Sequence, residues 1–368
     1  MLPSAITKQL PVPDSESQRF VMRLGAGWNL GDTFDGFHVP PRANPLDDEQ
    51  AWNGARTTPE MFDRLKDMGF TSIRLPVSWH GHVHPVTHQI DRAWLDRVAE
   101  VLEWMMTRGF HVILNIHHDN SPSDLYPSNA CLSQSMRYMA DIWSQLAQRF
   151  AGYDEQLLFN SWNEPRLTGH PNEWKLDSAV PECVEAVQCI NRLNQVMVDT
   201  VRAAGGHNAR RYLLVPGYAA SADGALHPDF AVPRDPVTAN DRRILVSVHA
   251  YTPYPFALEQ DSVTHWSHER EEDVRAMVGF MVGLYERFVS RGQPVLLDEF
   301  GARSKDNLPD RVDFTRCYVT AARNRGMSCF WWDNNAFEGR GELFGLLDRK
   351  TLAWRFEEIA KTVVDASR

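Results

Sequence analysis

HVILNIHH, residues His111 to His118 and followed at once by Asp119, is the stretch from which the fold is read. It is a short apolar, β-rich run that ends in imidazole and carboxylate groups. The same design recurs along the chain. The seven other runs are Arg23–Leu30 (RLGAGWNL), Thr71–Ser78 (TSIRLPVS), Leu157–Pro165 (LLFNSWNEP), Arg211–Tyr218 (RYLLVPGY), Ile244–Tyr251 (ILVSVHAY), Pro294–Ala302 (PVLLDEFGA) and Met327–Asn335 (MSCFWWDNN). Between them apolar residues return at spacings of three and four, which predicts helices over Asp91–Thr107, Cys131–Phe150, Pro181–Ala204 and Glu271–Ser290. The fifth gap, Ala219–Arg243, is rich in Pro and Asp and reads mainly as loop.

Gly69, Gly109, Gly292 and Gly326 each stand between a helical stretch and the next run, where a left-handed residue ends a helix. Eight strands, each followed by a helix or long loop, predict a single-domain closed (β/α)8 TIM barrel, with residues 1–20 as an N-terminal extension. An open doubly wound sheet is disfavoured. Its phosphate-binding loop has one candidate, Gly25 to Gly31, which has the wrong spacing and precedes no helix.

The 368 residues carry 38 basic and 48 acidic side chains, a net charge of -10, with no Lys/Arg cluster to meet a phosphate backbone. Nucleic acid is excluded as a partner. No apolar stretch long enough to span a bilayer occurs and the first residues lack a leader pattern. The expected location is therefore secreted or cell-envelope with its leader removed, or else cytoplasmic. Five cysteines without CxxC spacing disfavour a disulfide framework or a zinc site, leaving Cys183 to Cys189 as an open pairing. A monomer is expected.

In such barrels the active site forms at the C-terminal strand ends. Those ends carry Asn29, Arg74, His117, His118, Asp119, Asn163, Glu164, His249, Tyr251, Glu299, Trp331, Trp332 and Asp333. Gathering that many charged and imidazole groups costs desolvation energy that packing alone does not require. Glu164 and Glu299 end the fourth and seventh runs and should face one another across the barrel mouth. Paired carboxylates across a cleft are what glycosidic cleavage needs, one to protonate the leaving oxygen and one to attack. Arg74 carries a permanent charge that could hold Glu299 ionised. Strict alternation along a strand would turn Asp298 toward the helix layer.

These residues resemble glycoside hydrolase family 5, the cellulase family. GWNLG (Gly27–Gly31), RLP (Arg74–Pro76), NIHHD (Asn115–Asp119), NEP (Asn163–Pro165), HAY (His249–Tyr251), EFGA (Glu299–Ala302) and WWDNN (Trp331–Asn335) occur in the family's order. The tract from Pro294 to Asn307 looks most like the endoglucanase, lichenase and xyloglucanase subgroup. The resemblance implies a retaining endo-β-1,4-glucanase acting on β-glucan, with Glu164 as acid/base and Glu299 as nucleophile. It further implies that Asn163 bonds the sugar 2-hydroxyl, that His117, His249 and Tyr251 position the glutamates and the sugar, that Trp332 lies beneath that sugar and that Arg74 orients Glu299. Asn29 and His118 complete the supporting set. No metal or cofactor is implied. Asp32, where the family often has Asn, and Asp298, where it often has Gly, depart from the pattern. A mannanase of the same family and a non-catalytic glycan-binding barrel are the alternatives.

The histidines of WHGHVHPVTH (His80, His82, His84, His88) invite a metal reading, but no nearby carboxylate completes a ligand set. Trp94, Trp104 and Trp143 recur at helical spacing and are expected in the core. Trp28, Trp52, Trp79, Trp174 and Trp266 fall near the top loops, and about half are expected to be sugar platforms.

Overall fold

A computed structural model describes the whole chain, Met1 to Arg368. The eight runs contain the eight strands of a closed parallel barrel: β1 (Ala26–Leu30), β2 (Ser72–Leu75), β3 (His111–Asn115), β4 (Leu157–Asn160), β5 (Leu213–Pro216), β6 (Ile244–His249), β7 (Val295–Phe300) and β8 (Ser328–Asp333). Each strand is shorter than its run. The polar residues beyond it, Glu164 among them, stand on the loops above the strand ends. Helices Arg92–Thr107, Leu132–Arg149, Pro181–Ala203 and Glu271–Arg287 lie where periodicity put them, and the fifth gap holds only Ala222–Leu226 as a helix. The four expected glycines all have positive φ.

Gly27 in β1 and Gly31 just past its end are dictated by β8. A Cβ on Gly27 would stand 2.1 Å from the Phe330 ring, and one on Gly31 would stand 2.7 Å from Trp332. β1 therefore yields its inward space to two aromatic rings of its neighbour.

The barrel floor is apolar. Ile113, Leu158, Leu214, Leu245, Leu296 and Phe330 fill it together with Phe20, Val21 and Leu24 from below. Those last three belong to a helix, Glu16–Leu24, capped by the Ser15 hydroxyl accepting the Gln18 N–H. The segment expected as an extension thus contributes a plug, with Phe20 stacked on Tyr212 at 3.8 Å. Arg23 and Leu24, counted in the first run, end this helix rather than open β1.

β7 carries one residue too many for simple alternation. Ser247 pairs with Leu296 and His249 with Glu299, so two steps along β6 match three along β7. The same extra residue shows against β8, where Leu297 pairs with Cys329 and Phe300 with Trp331. A bulge of this kind breaks the two-residue period and re-aims a side chain. Asp298 consequently faces inward, not toward the helices as alternation implied. Its carboxylate accepts from the Ser247 hydroxyl at 2.7 Å and the Val248 N–H at 3.1 Å, beside Arg74 Nε at 3.5 Å.

All five cysteines are free. Cys183 and Cys189 share the helix Pro181–Ala203, six residues apart, which separates them by about 9 Å along its axis and is too far for a bridge. No helix is long and apolar enough to cross a membrane.

Candidate active site

Above the floor a polar layer is built around one arginine. Arg74, on β2, is fully buried. It donates to Glu299 Oε1 at 2.5 Å, Asn163 Oδ1 at 2.6 Å, Asn29 Oδ1 at 3.1 Å and Asn160 Oδ1 at 3.4 Å. Asn29 is held in turn by carbonyls of Asp298 and Trp331, so it is a brace for Arg74 and has no exposed surface. Because Arg74 takes the Asn163 oxygen, the Asn163 amide N–H groups are left to face the cleft.

Glu164, a few residues past β4, and Glu299, within β7, meet at His249. One oxygen of each carboxyl and a ring nitrogen of His249 lie within 4.8 Å of one another. His249 Nδ1 is 2.9 Å from Glu164 Oε1 and 3.4 Å from Glu299 Oε2, and the Tyr251 hydroxyl donates to Glu299 Oε2 at 3.0 Å.

Burial opposes charge on all three groups, and its balance against their partners decides each outcome. For His249 burial is outweighed by Glu299, Asp298 and the hydrogen bond to Glu164, which raise the imidazole to about 10, so it carries its proton at neutral pH. Burial likewise works to raise Glu164, yet His249, Arg166 and His118 hold it below the usual carboxylate range. Glu299 goes the other way. The Arg74 ion pair expected from sequence is present, but burial exceeds the pull of His249 and Arg74 and pushes the carboxyl up to about 7.

His117 has a fixed tautomer. Asn115 Oδ1 accepts the Val77 N–H, which turns the Asn115 amide nitrogen toward His117 Nδ1 at 3.0 Å. An amide nitrogen only donates, so Nδ1 accepts and the ring proton sits on Nε2. Burial first, then His118 and Arg74, keep His117 neutral well below its ordinary range. It is therefore a hydrogen-bond donor toward the cleft. Its ring lies parallel to Trp332, 5.8 Å away, and only 6% of Trp332 is exposed. His118 stands further out, edge-on to His117 and beside Trp52, with its ring lowered to about 4 mainly by burial.

The His80–His88 loop sends its rings to four different places. His82 lies flat on Trp94 at 3.8 Å, His88 Nδ1 meets Asp141 at 2.8 Å, His84 accepts the Val86 and Thr87 N–H groups, and His80 packs edge-on against Phe37. Of the five tryptophans expected near the top loops, Trp28, Trp79 and Trp266 are core residues, while Trp52 and Trp174 are 44% and 60% exposed.

Inspection of strand ends alone missed two groups that lie deeper in the loops. Asp35 accepts the Asp32 and Thr33 N–H groups and stands 3.9 Å from His117 Nε2 and 4.0 Å from His118 Nε2. Arg166 bonds the Glu164 carbonyl at 2.9 Å and Glu173 at 3.0 Å, and lies over the Trp174 ring at 3.9 Å. Its position two residues after Glu164 was the available signal.

Known proteins resemble the chain over most of its length. Residues 33–338 match the family model described as Cellulase (glycosyl hydrolase family 5). The chain is 38% identical over 346 residues to the Cellulase/esterase CelE of Acetivibrio thermocellus, an alignment covering 94% of this chain but only 40% of CelE. It is 35% identical over 365 residues to Endoglucanase A of Ruminococcus albus, covering 97% of this chain and 94% of that protein. A variant of the glycoside hydrolase 5 lichenase from Caldicellulosiruptor sp. F32, solved with cellotetraose, superposes with a TM-score of 0.96 at 48% identity and covers 98% of each chain.

Proposed function

The chain belongs to glycoside hydrolase family 5, the cellulase family, and from that membership we propose that it is a retaining endo-β-1,4-glucanase acting on cellulose, mixed-linkage glucan or xyloglucan. Glu164 serves as acid/base and Glu299 as nucleophile. The observation that carries this reading is the approach of their oxygens to within 4.8 Å. Double displacement wants carboxyl groups about 5 to 5.5 Å apart, whereas inversion needs roughly 6.5 to 9.5 Å to seat a water.

Glu299 attacks the anomeric carbon as the bond to the leaving oxygen breaks, and Glu164 supplies that oxygen with a proton. His249, hydrogen-bonded to Glu164 and protonated at neutral pH, keeps that proton within reach. Once Glu299 is esterified its charge is gone, and the proton affinity of the Glu164–His249 pair falls. Glu164 then takes a proton from water, which attacks the same carbon, releases Glu299 and restores the original anomer. Asn163 and His117 offer donors to the hydroxyls of the sugar in the cleaved position, and Trp332 offers its face. Trp174, braced on Arg166 beside Glu164, suits the leaving-group side.

Hydrolysis of carboxymethyl cellulose, mixed-linkage glucan, xyloglucan and mannan, measured side by side, tests the substrate class. Turnover of glucans with β-anomers as first products by NMR is expected; mannan alone, or α-anomers, would overturn it. Glu299→Gln should lose nearly all turnover and still bind cello-oligosaccharides.

A further inference from the structure

Nine arginines are nearly inaccessible to solvent, and eight of them spend at least one side-chain hydrogen bond inside the protein. The ninth is Arg303, four residues past Glu299 on the loop after β7. It is 5% exposed. Its backbone N–H is fixed to the Ala257 carbonyl at 2.9 Å, but no carbonyl, carboxylate or hydroxyl of the chain lies within bonding reach of its guanidinium. Its nitrogens nevertheless touch solvent, so the guanidinium sits recessed at the wall of a cleft with its donors free for a ligand.

The loop after β8 closes the other side of this position. Ser304, next to Arg303, donates its N–H to the Leu343 carbonyl at 2.9 Å, and Asn334 Nδ2 ties down the neighbouring Glu342 carbonyl at 2.7 Å. Phe344 then packs against Tyr251 at 5.4 Å, and the Glu342 side chain is left exposed. Arg303 and Glu342 therefore flank one bridging hydrogen bond between two loops, yet form no ion pair with each other. Although solvent reaches Glu342, the protein crowded around its carboxyl and then the Glu164 charge raise it while Arg303 opposes them, as expected if both border the catalytic cleft.

We propose that Arg303 and Glu342 form a polar clamp for a glucosyl unit of the chain retained on the enzyme, the guanidinium donating to adjacent hydroxyls and the carboxylate accepting from them. The assignment of the side follows from placement. Glu164 and Trp174 occupy the loop after β4, where the leaving group departs, and the loops after β7 and β8 lie across the mouth from it. A fork of donors suits neighbouring hydroxyls. This inference rests on the retaining-glucanase reading above.

The test compares kcat/KM on an activated aryl cellobioside and the matching aryl cellotrioside, which share one leaving group and differ only in the retained chain. Wild type should favour the trioside. Arg303→Met and Glu342→Gln should each erase most of that preference, about ten- to hundredfold for Arg303→Met, chiefly through KM. Arg303→Met should leave Tm close to that of wild type, because Met keeps the packing of the buried stem and the solvent-facing guanidinium holds no bond to the chain; a merely structural arginine would lower it. If Arg303→Met does not fold, the exposed Glu342→Gln decides alone. Wild type that cleaves neither substrate defeats the glucanase reading. Wild type that cleaves both, with variants keeping its chain-length preference or with no preference to lose, defeats the clamp.

Discussion

Arg74 shows how one residue couples the site. Its side chain ties Glu299 on β7 to Asn163 beside Glu164 and to the Asn29 brace on β1. Since burial already pushes Glu299 upward and Arg74 resists, Arg74→Met removes the resistance and should raise the acidic limb of the kcat/KM–pH profile by about one unit or more. The limbs belong to the coupled glutamate pair, so the whole profile is the readout. Folding is checked by near-UV circular dichroism. A folded variant with a slower rate and an unmoved acidic limb would make Arg74 a geometric brace only. Asn29 and Arg74 were both legible from sequence as strand-end polar groups. That Asn29 faces an arginine and not a sugar was not, because a strand pattern gives the face of a side chain and not its partner.

At the scale of elements, two segments did what local patterning does not state. The helix Glu16–Leu24 stoppers the barrel floor opposite the catalytic mouth. Phe20→Ala empties a fully buried ring site stacked on Tyr212 and should cost about 3 to 5 kcal/mol in urea unfolding while leaving activity per folded molecule unchanged at low denaturant. A loss below 1 kcal/mol would mean the helix is a dispensable appendage. The other segment is β7, whose bulge turns both Asp298 and Glu299 inward. It places an extra carboxylate behind His249, at 3.7 Å from Nε2, and so helps keep that imidazole charged.

For the whole molecule, the pH dependence of stability follows from groups whose protons the fold retains. Asp32, at a left-handed φ of 55°, is raised to about 8 by burial and by the nearby Asp35, against the pull of Arg349. A carboxyl raised on folding contributes stability in full below its unfolded value near 3.8 and loses it as pH rises through about 8. Asn tolerates the same backbone and never ionises. Asp32→Asn should therefore match wild type near pH 4 and exceed it increasingly up to about pH 8, reaching a Tm gain of about 2 to 4 °C. Glu299 and His249 weaken both proteins alike over this range and cancel in the difference. Parallel Tm curves from pH 4 to 9 would show that Asp32 is not held protonated.

The sequence by itself determined the barrel, the order of its strands and the carboxylate pair, since each depends on short-range patterns: apolar runs of strand length, helical spacing between them, and polar groups at the ends where such barrels hold their chemistry. Family motifs added the roles expected of Glu164 and Glu299. Only the tertiary structure decided what depends on register and on neighbours distant in the chain. One inserted residue in β7 reversed the facing of Asp298. The bottom helix, with no partner visible in its own sequence, became part of the core, and three tryptophans expected near the top loops were buried by segments far from them. The balance that raises Glu299 despite Arg74 is likewise a sum over burial and several charges converging from different strands, and no linear spacing encodes a sum of that kind.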